Sequence, residues 1–245
     1  MNYYKNFADG FHLKEKDIDY QELLSVQNEF EKERNELVFS IISKNYSGQL
    51  NNLSLLEIGS GRGIFAKECQ KRKIEYFGIE PELNLSNQLK KEGVNIKQLF
   101  VPPIPFGKGF FDIVCHFHVL EHMENPQKAY QFISECQRVL KDQGILIFRC
   151  PNVLTWGLGF WDVDYTHRFP TTPTNVSQLL YDCDFKIIHF KEISFFKPRH
   201  FGKLRHFFPR KNNFLNKLYP KISKFLGRFI KKDTELIFVC QKSKR

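Results

Sequence analysis

The 245-residue chain reads as an α/β protein built on a mostly parallel sheet with helices on both faces. Three observations predict this. Short apolar runs alternate with helix-period segments from Leu53 onward. Those runs are almost continuously apolar, the pattern of strands buried on both sides. The first run also ends in a glycine-rich turn, Gly59-Ser60-Gly61-Arg62-Gly63, before a helical segment.

Each element can be justified in order. Residues 17–48 place Leu23, Leu24, Val26, Phe30, Leu37, Val38, Ile41 and Ile42 at helical spacing, with Gly48 as the stop. Residues 53–58 form a first strand and 63–73 a helix. Residues 74–79 form a second strand, and 82–91 a helix ending near Gly93. Residues 94–100 read as a third strand and the Pro- and Gly-rich stretch 101–109 as a loop. The fourth strand covers 111–117, and a helix with Pro126 in its first turn covers 126–140. The fifth strand, 145–150, closes at Pro151-Asn152. A helix over 174–182 has Thr172 or Thr174 as cap and Pro173 near its first position. Residues 185–191 and 235–241 supply the sixth and seventh strands.

Charge is unevenly distributed. Residues 197–232 hold twelve Lys or Arg and no Asp or Glu, so this segment is +12 in a chain of net charge +10, and the remainder is −2. A near-neutral domain therefore carries one basic insert. The six cysteines, Cys69, Cys115, Cys136, Cys150, Cys183 and Cys240, are scattered with no Cys-x-x-Cys pair. They suit buried free thiols in a reducing compartment. No apolar run is long enough to span a bilayer, and the first twenty residues do not resemble a secretory signal. A cytoplasmic location is expected, with peripheral contact at the inner membrane face as one alternative for the basic insert.

The glycine turn carries the first functional signal. Glycines let the backbone turn sharply and approach a ligand closely, and the following helix points its first amides at whatever sits there. About twenty residues on, the second strand ends in Gly78-Ile79-Glu80, and a carboxylate at that place can accept hydrogen bonds from both hydroxyls of a ribose. A dehydrogenase shares these two features.

Three further stretches separate the readings. Phe111-Asp112-Ile113-Val114, Val119-Leu120-Glu121-His122-Met123-Glu124-Asn125-Pro126 and Leu140-Lys141-Asp142-Gln143-Gly144-Ile145-Leu146-Ile147 follow in order. With the glycine turn, they resemble the successive motifs of class I S-adenosylmethionine-dependent methyltransferases. The similarity runs over about residues 53–190 and is to the small-molecule group that includes ubiquinone-type O-methyltransferases and bacterial surface-glycan methyltransferases. It implies a Rossmann-like, seven-stranded sheet with the last strand antiparallel, an N-terminal helical cap, and S-adenosyl-L-methionine at the carboxyl ends of the central strands. By position, Glu57, Gly59, Ser60 and Gly61 would hold the amino-acid part of the cofactor. Glu80 would hold the ribose, Pro81 would lie against the adenine, and Phe117 and His118 would line the methyl-transfer site. The family often has an acid after the third strand for the adenine amino group. Here Leu99-Phe100-Val101 stands there, so adenine recognition is expected to rest on backbone groups and apolar stacking.

Methyl transfer needs alignment and, for an alcohol acceptor, a group that takes the proton. The loop after the fifth strand gathers Trp156, Trp161, Asp162, Asp164, Tyr165, Thr166, His167 and Arg168 at the ligand-binding end of the sheet. His167 is the expected general base, with Asp164 orienting it or binding a substrate hydroxyl. The alternative is that His167 and Arg168 only pin the loop to Asp162, Asp164 or Glu121. His116 and His118 share a strand face and His122 follows. Zinc needs three or four well-disposed ligands, and the resembled family already has a His at the place of His122, so no metal site is expected.

Within the basic insert, Ile222, Phe225, Leu226, Phe229 and Ile230 fall on one helical face after Pro220, with lysines mostly elsewhere. Such a helix can lie on an anionic membrane or pack on the protein's own core. Nucleic acid is disfavoured as a partner, because the Asn/Asp-Pro-Pro-aromatic motif of amino-methylating nucleic-acid enzymes is replaced by Cys115-His116-Phe117-His118. The expected organisation is a helical cap (1–50), a cofactor-binding core (51–194), a basic insert (195–234) and a final strand and tail (235–245). The expected activity is O-methylation of a glycan, glycolipid or related small acceptor, lipid-linked or not, as in cell-surface polysaccharide biosynthesis. RNA methylation and a non-enzymatic docking module are the alternatives.

Overall fold

The computed structural model describes residues 20–46, 48–194 and 233–243. The basic segment 197–232, with its amphipathic helix, lies outside the described residues. Seven strands form one sheet: β1 (Ser54–Ile58), β2 (Glu75–Ile79), β3 (Ile96–Lys97), β4 (Phe111–Phe117), β5 (Leu140–Pro151), β6 (Phe185–Ser194) and β7 (Thr234–Lys242). Their spatial order is β3-β2-β1-β4-β5-β7-β6. The pairs from β3 to β5 are parallel, and β7 runs antiparallel between β5 and β6. The predicted seven-stranded sheet with its antiparallel last strand is thus the observed one.

Helices cover both faces. α1 (Tyr20–Asn45), α2 (Ile64–Lys71) and α3 (Leu83–Lys91) precede β4, and α4 (Pro126–Val139) lies between β4 and β5. α5 (Val153–Trp156), α6 (Gly159–Asp162) and α7 (Pro173–Asp182) follow β5. Alternate residues along each strand point to opposite faces, and the core divides accordingly. Leu56, Val114, Leu146, Phe148 and Phe238 face Phe132, Ile133 and Cys136 of α4 and Val176 and Leu180 of α7. Leu55, Ile113, Cys115, Ile147 and Val239 face Val38 and Ile42 of α1 and Phe65 and Cys69 of α2. α1 is therefore part of one face of the core: Phe39 stacks on Phe65 at 5.0 Å. Burying a side chain of this size is worth roughly 1.5–3 kcal/mol. All six cysteines are buried and unpaired, as the sequence suggests.

The caps follow the sequence closely. Asn125 accepts from Lys128 N at the start of α4, and Thr172 and Asn175 form a reciprocal capping box at the start of α7. Glu82 is the N-cap of α3, its side chain accepting from Leu85 N, where the sequence places it inside the helix. β3, at one edge of the sheet, has two residues instead of the seven expected of 94–100, and its ladder is limited to Gly78 and Ile79. β5 starts at Leu140, earlier than predicted. Leu140 pairs with Phe111 and Ile145 with Ile113, so the exposed residues 141–143 and Gly144 bulge out opposite Asp112. Gln143 has φ 64° there, so the predicted turn is present as an irregularity within the strand.

Candidate active site

At the carboxyl end of β1, Gly59 has φ 79°, Gly61 53° and Gly63 72°, the left-handed region that favours glycine. A Cβ on Gly59 would stand 2.7 Å from Val119 Cγ2, and one on Gly63 2.3 Å from Leu89 Cδ2. Side chains at these two positions would collide with Val119 and Leu89, so the turn takes this shape only with glycine there. The amides of Gly59 and Ser60 donate to the carbonyl of Ile79 at 2.8 and 3.2 Å, tying the turn to the end of β2. Glu80 completes the tie. Its carboxylate accepts from Gly61 N at 2.7 Å and Glu82 N at 2.9 Å. A carboxylate has about four lone-pair sites, so two such bonds leave acceptor capacity for hydroxyls.

Glu57 and Ser60 are arranged differently from expectation. Tyr76 donates its hydroxyl proton to Glu57 Oε2 at 2.5 Å, and Ser60 Oγ lies 2.8 Å from the same hydroxyl. The polar atoms of both side chains are turned into the protein, against β2. Burial pushes the Glu57 carboxyl up to about 8; the Tyr76 bond works against this and the charge of Glu80 adds to it.

β4 ends at Phe117, whose ring packs edge-on against Phe65 and under the Arg149 guanidinium at 4.6 Å. His118 leaves the strand with φ 58°. Its Nδ1 is 3.1 Å from Glu121 Oε1 and its Nε2 3.4 Å from Glu235 Oε1. Burial opposes its protonation, but the Glu235 and Glu121 carboxylates outweigh it and hold the imidazole up to about 9. At neutral pH His118 is a cation and not a proton acceptor. Around it lies a network that the sequence reading missed: Arg149 to Glu31 at 2.9 Å and to Glu235 at 3.6 Å, and Arg34 to Glu235 at 3.0 Å. The one available signal was Arg149, a lone cation in the apolar run Ile145-Leu146-Ile147-Phe148-Arg149-Cys150.

His116 does not share a site with His118 or His122. It is fully buried, stacked on Phe148 at 4.6 Å and edge-on to Phe132, and burial depresses it to about 3.

The loop after β5 does return to the end of β4, as the sequence suggests. The amides of Arg168 and Phe169 donate to the Glu121 carbonyl at 2.8 and 3.0 Å. The orientation of His167 differs from expectation. Its Nδ1 lies 2.6 Å from the Phe160 carbonyl, and Asp164 does not orient it. Asp164 Oδ1 accepts from Thr166 N at 2.9 Å and from Thr166 Oγ1 at 2.7 Å, and Thr166 Oγ1 lies 2.8 Å from His122 Nδ1. The Asp164 side chain therefore acts on His122 through Thr166. The His122 and His167 rings are 4.9 Å apart. Leu154, Leu158, Trp161 and Tyr165 expose apolar surface along this loop. No helix among the described residues is long and apolar enough to cross a membrane.

Comparison with known proteins agrees with this geometry. Residues 30–210 match the family model described as a methyltransferase domain. A probable S-adenosylmethionine-dependent methyltransferase of Mycobacterium tuberculosis is 25% identical over 134 residues, 54% of this chain and 48% of that protein. The chain thus spans about half the length of the curated relatives it first matches. The ubiquinone biosynthesis O-methyltransferase of Rickettsia akari is 24% identical over 64% of this chain and 68% of its own. Among solved structures, a SAM-dependent methyltransferase from Archaeoglobus fulgidus shares the fold with a TM-score of 0.57 at 20% identity, over 85% of this chain and 94% of that one. With the family model covering most of its length and the strand order and glycine turn in place, the chain belongs to the class I S-adenosylmethionine-dependent methyltransferase family.

Proposed function

We propose that this protein uses S-adenosyl-L-methionine to methylate a hydroxyl of a glycan, glycolipid or related small acceptor. The observation that carries the cofactor assignment is the turn itself. Gly59 and Gly61 take left-handed backbone angles, Val119 packs where a Gly59 Cβ would stand, and Glu80 lies beside the turn with a buried carboxylate bonded to Gly61 N. When bound there, the cofactor supplies an electrophilic methyl group on a sulfonium. The backbone of Gly59, Ser60 and Gly61 holds its amino-acid part, Glu80 accepts from the ribose, and Pro81 with the Leu99 and Phe100 segment lies against the adenine. Glu57 acts through Tyr76, fixing Ser60 and the turn. Phe117 and His118 line the transfer site, and the fixed positive charge of His118 orients an anionic or hydroxyl-rich acceptor.

Two observations support an oxygen acceptor. His167 gives its Nδ1 proton to a carbonyl that can only accept, which leaves its Nε2 with the lone pair that deprotonation of a hydroxyl depends on. One relative is also named as an O-methyltransferase. The aromatic and apolar side chains of Leu158, Trp161 and Tyr165 are suited to stacking on a sugar or holding a lipid-linked acceptor. The basic segment 197–232 would add attraction to an anionic membrane at its cytoplasmic face.

Incubation with methyl-labelled cofactor and separate glycan, lipid and RNA fractions tests this reading. Label is expected in glycan or glycolipid. Label confined to RNA would replace the acceptor class, and equal transfer by a His167→Ala variant would remove His167 from it.

A further inference from the structure

Glu121 and His122, just past β4, and His167, in the loop after β5, bring one side-chain ligand atom each to within 4.8 Å of one another. Hydrogen bonds around them determine what those atoms are. Thr166 Oγ1 donates its proton to Asp164 Oδ1, so toward His122 it can only accept, and the His122 proton sits on Nδ1. The Phe160 carbonyl likewise places the His167 proton on Nδ1. In both rings Nε2 is then the nitrogen with the lone pair. Glu121 is fully buried; its Oε1 meets His118, and its Oε2 has no hydrogen-bond partner among the described residues. Two ring nitrogens and one carboxylate oxygen are thus drawn together, each side chain held from behind by a second bond.

We propose that Glu121, His122 and His167 form a binding site for a divalent transition-metal cation of the zinc type. Two imidazole nitrogens with one carboxylate oxygen suit borderline ions, whereas magnesium and calcium prefer all-oxygen sets. Histidine ligands whose second ring nitrogen is bonded to a carbonyl, or through a hydroxyl to a carboxylate, are the usual arrangement behind such ions. Three protein ligands leave a coordination position open, as in catalytic zinc sites. Glu121 also touches His118 beside the transfer site, so, on the methyl-transfer reading above, a cation held by these three residues would supply Lewis acidity to an acceptor hydroxyl there, with His167 acting as one of its ligands.

The test is a titration of chelator-treated full-length protein with zinc, against a competing indicator and without cofactor or acceptor. Its outcome is therefore independent of methyl transfer. One equivalent per chain is expected, with cobalt(II) giving a visible absorption band of a low-symmetry nitrogen/oxygen site. Glu121→Gln, His122→Ala and His167→Ala should each abolish the tight site. Thr166→Val, which removes the hydroxyl that links Asp164 to His122 Nδ1, should weaken it about 10–100-fold while keeping the wild-type circular dichroism. Absence of a stoichiometric site in the wild type, or wild-type affinity in folded Thr166→Val and His167→Ala proteins, would overturn the proposal.

Discussion

Glu80 Oε2 accepts a hydrogen bond from Gly61 N at 2.7 Å, and Glu80 Oε1 accepts from Glu82 N at 2.9 Å. The acid that ends β2 therefore holds the glycine turn in shape before any ligand arrives. Removing it leaves two amides without their acceptor in a largely dry place. Each such orphan costs about 1–3 kcal/mol, so with two of them Glu80→Ala should lower unfolding stability by about 2–6 kcal/mol even without cofactor. Denaturant titration of the unliganded protein measures this. An unchanged midpoint would mean that the turn does not depend on Glu80.

Glu57 gives the fold a pH dependence. Its folded value, about 8, lies above the ordinary 4.5, so between these values the native state holds a proton that the unfolded chain releases. The resulting stability is fully present below about 4.5 and is lost as pH rises through about 8, at up to about 1.4 kcal/mol per pH unit. A Glu57→Gln variant keeps the hydrogen-bonding shape and cannot ionise. Its urea midpoint should fall less than that of the wild type between about pH 5 and about pH 8. Parallel pH profiles for the two proteins would contradict a protonated Glu57.

Arg149 is 1% exposed and faces both Glu31 of α1 and Glu235 of β7. Truncating one partner of a buried ionic group strands the others, at about 3–5 kcal/mol. Arg149→Met should therefore cost several kcal/mol in thermal or denaturant unfolding. Lys71→Met, which breaks only the exposed pair with Glu68, should cost under about 1 kcal/mol. Equal effects would show that the buried network adds nothing.

What was legible in the sequence was what is local along the chain. The run from Leu55 to Gly63 encodes a strand, a turn and the start of a helix within nine residues, and Glu80 follows at the end of the next strand. Asn125-Pro126 and Thr172-Pro173 announce helix starts for the same reason. The charged network was not legible, because Arg149 meets Glu31 across 118 positions and Glu235 across a strand pairing that the sequence does not name. That the Asp164 side chain bonds Thr166 and not His167 was not legible for a related reason. Asp164 is nearer His167 in sequence, but the chain turns so that Thr166 carries its influence to His122, 44 residues from Thr166. The bonds that tie Glu57 and Ser60 to Tyr76 were not legible either, because Tyr76 lies on another strand.

The central claim is that the turn from Gly59 to Gly61, with Glu80, binds S-adenosyl-L-methionine. Calorimetric titration tests it most directly, with the wild type, Glu80→Gln and Gly59→Val compared side by side. The account predicts one cofactor per wild-type chain. It predicts binding about 10–100-fold weaker for Glu80→Gln, the loss of about 1.5–3 kcal/mol in hydrogen bonds to a charged group. No measurable binding is expected for Gly59→Val, whose side chain would collide with Val119 and is strained at φ 79°, so that the turn must distort. No heat of binding in the wild type, or the same affinity in all three proteins, would contradict it.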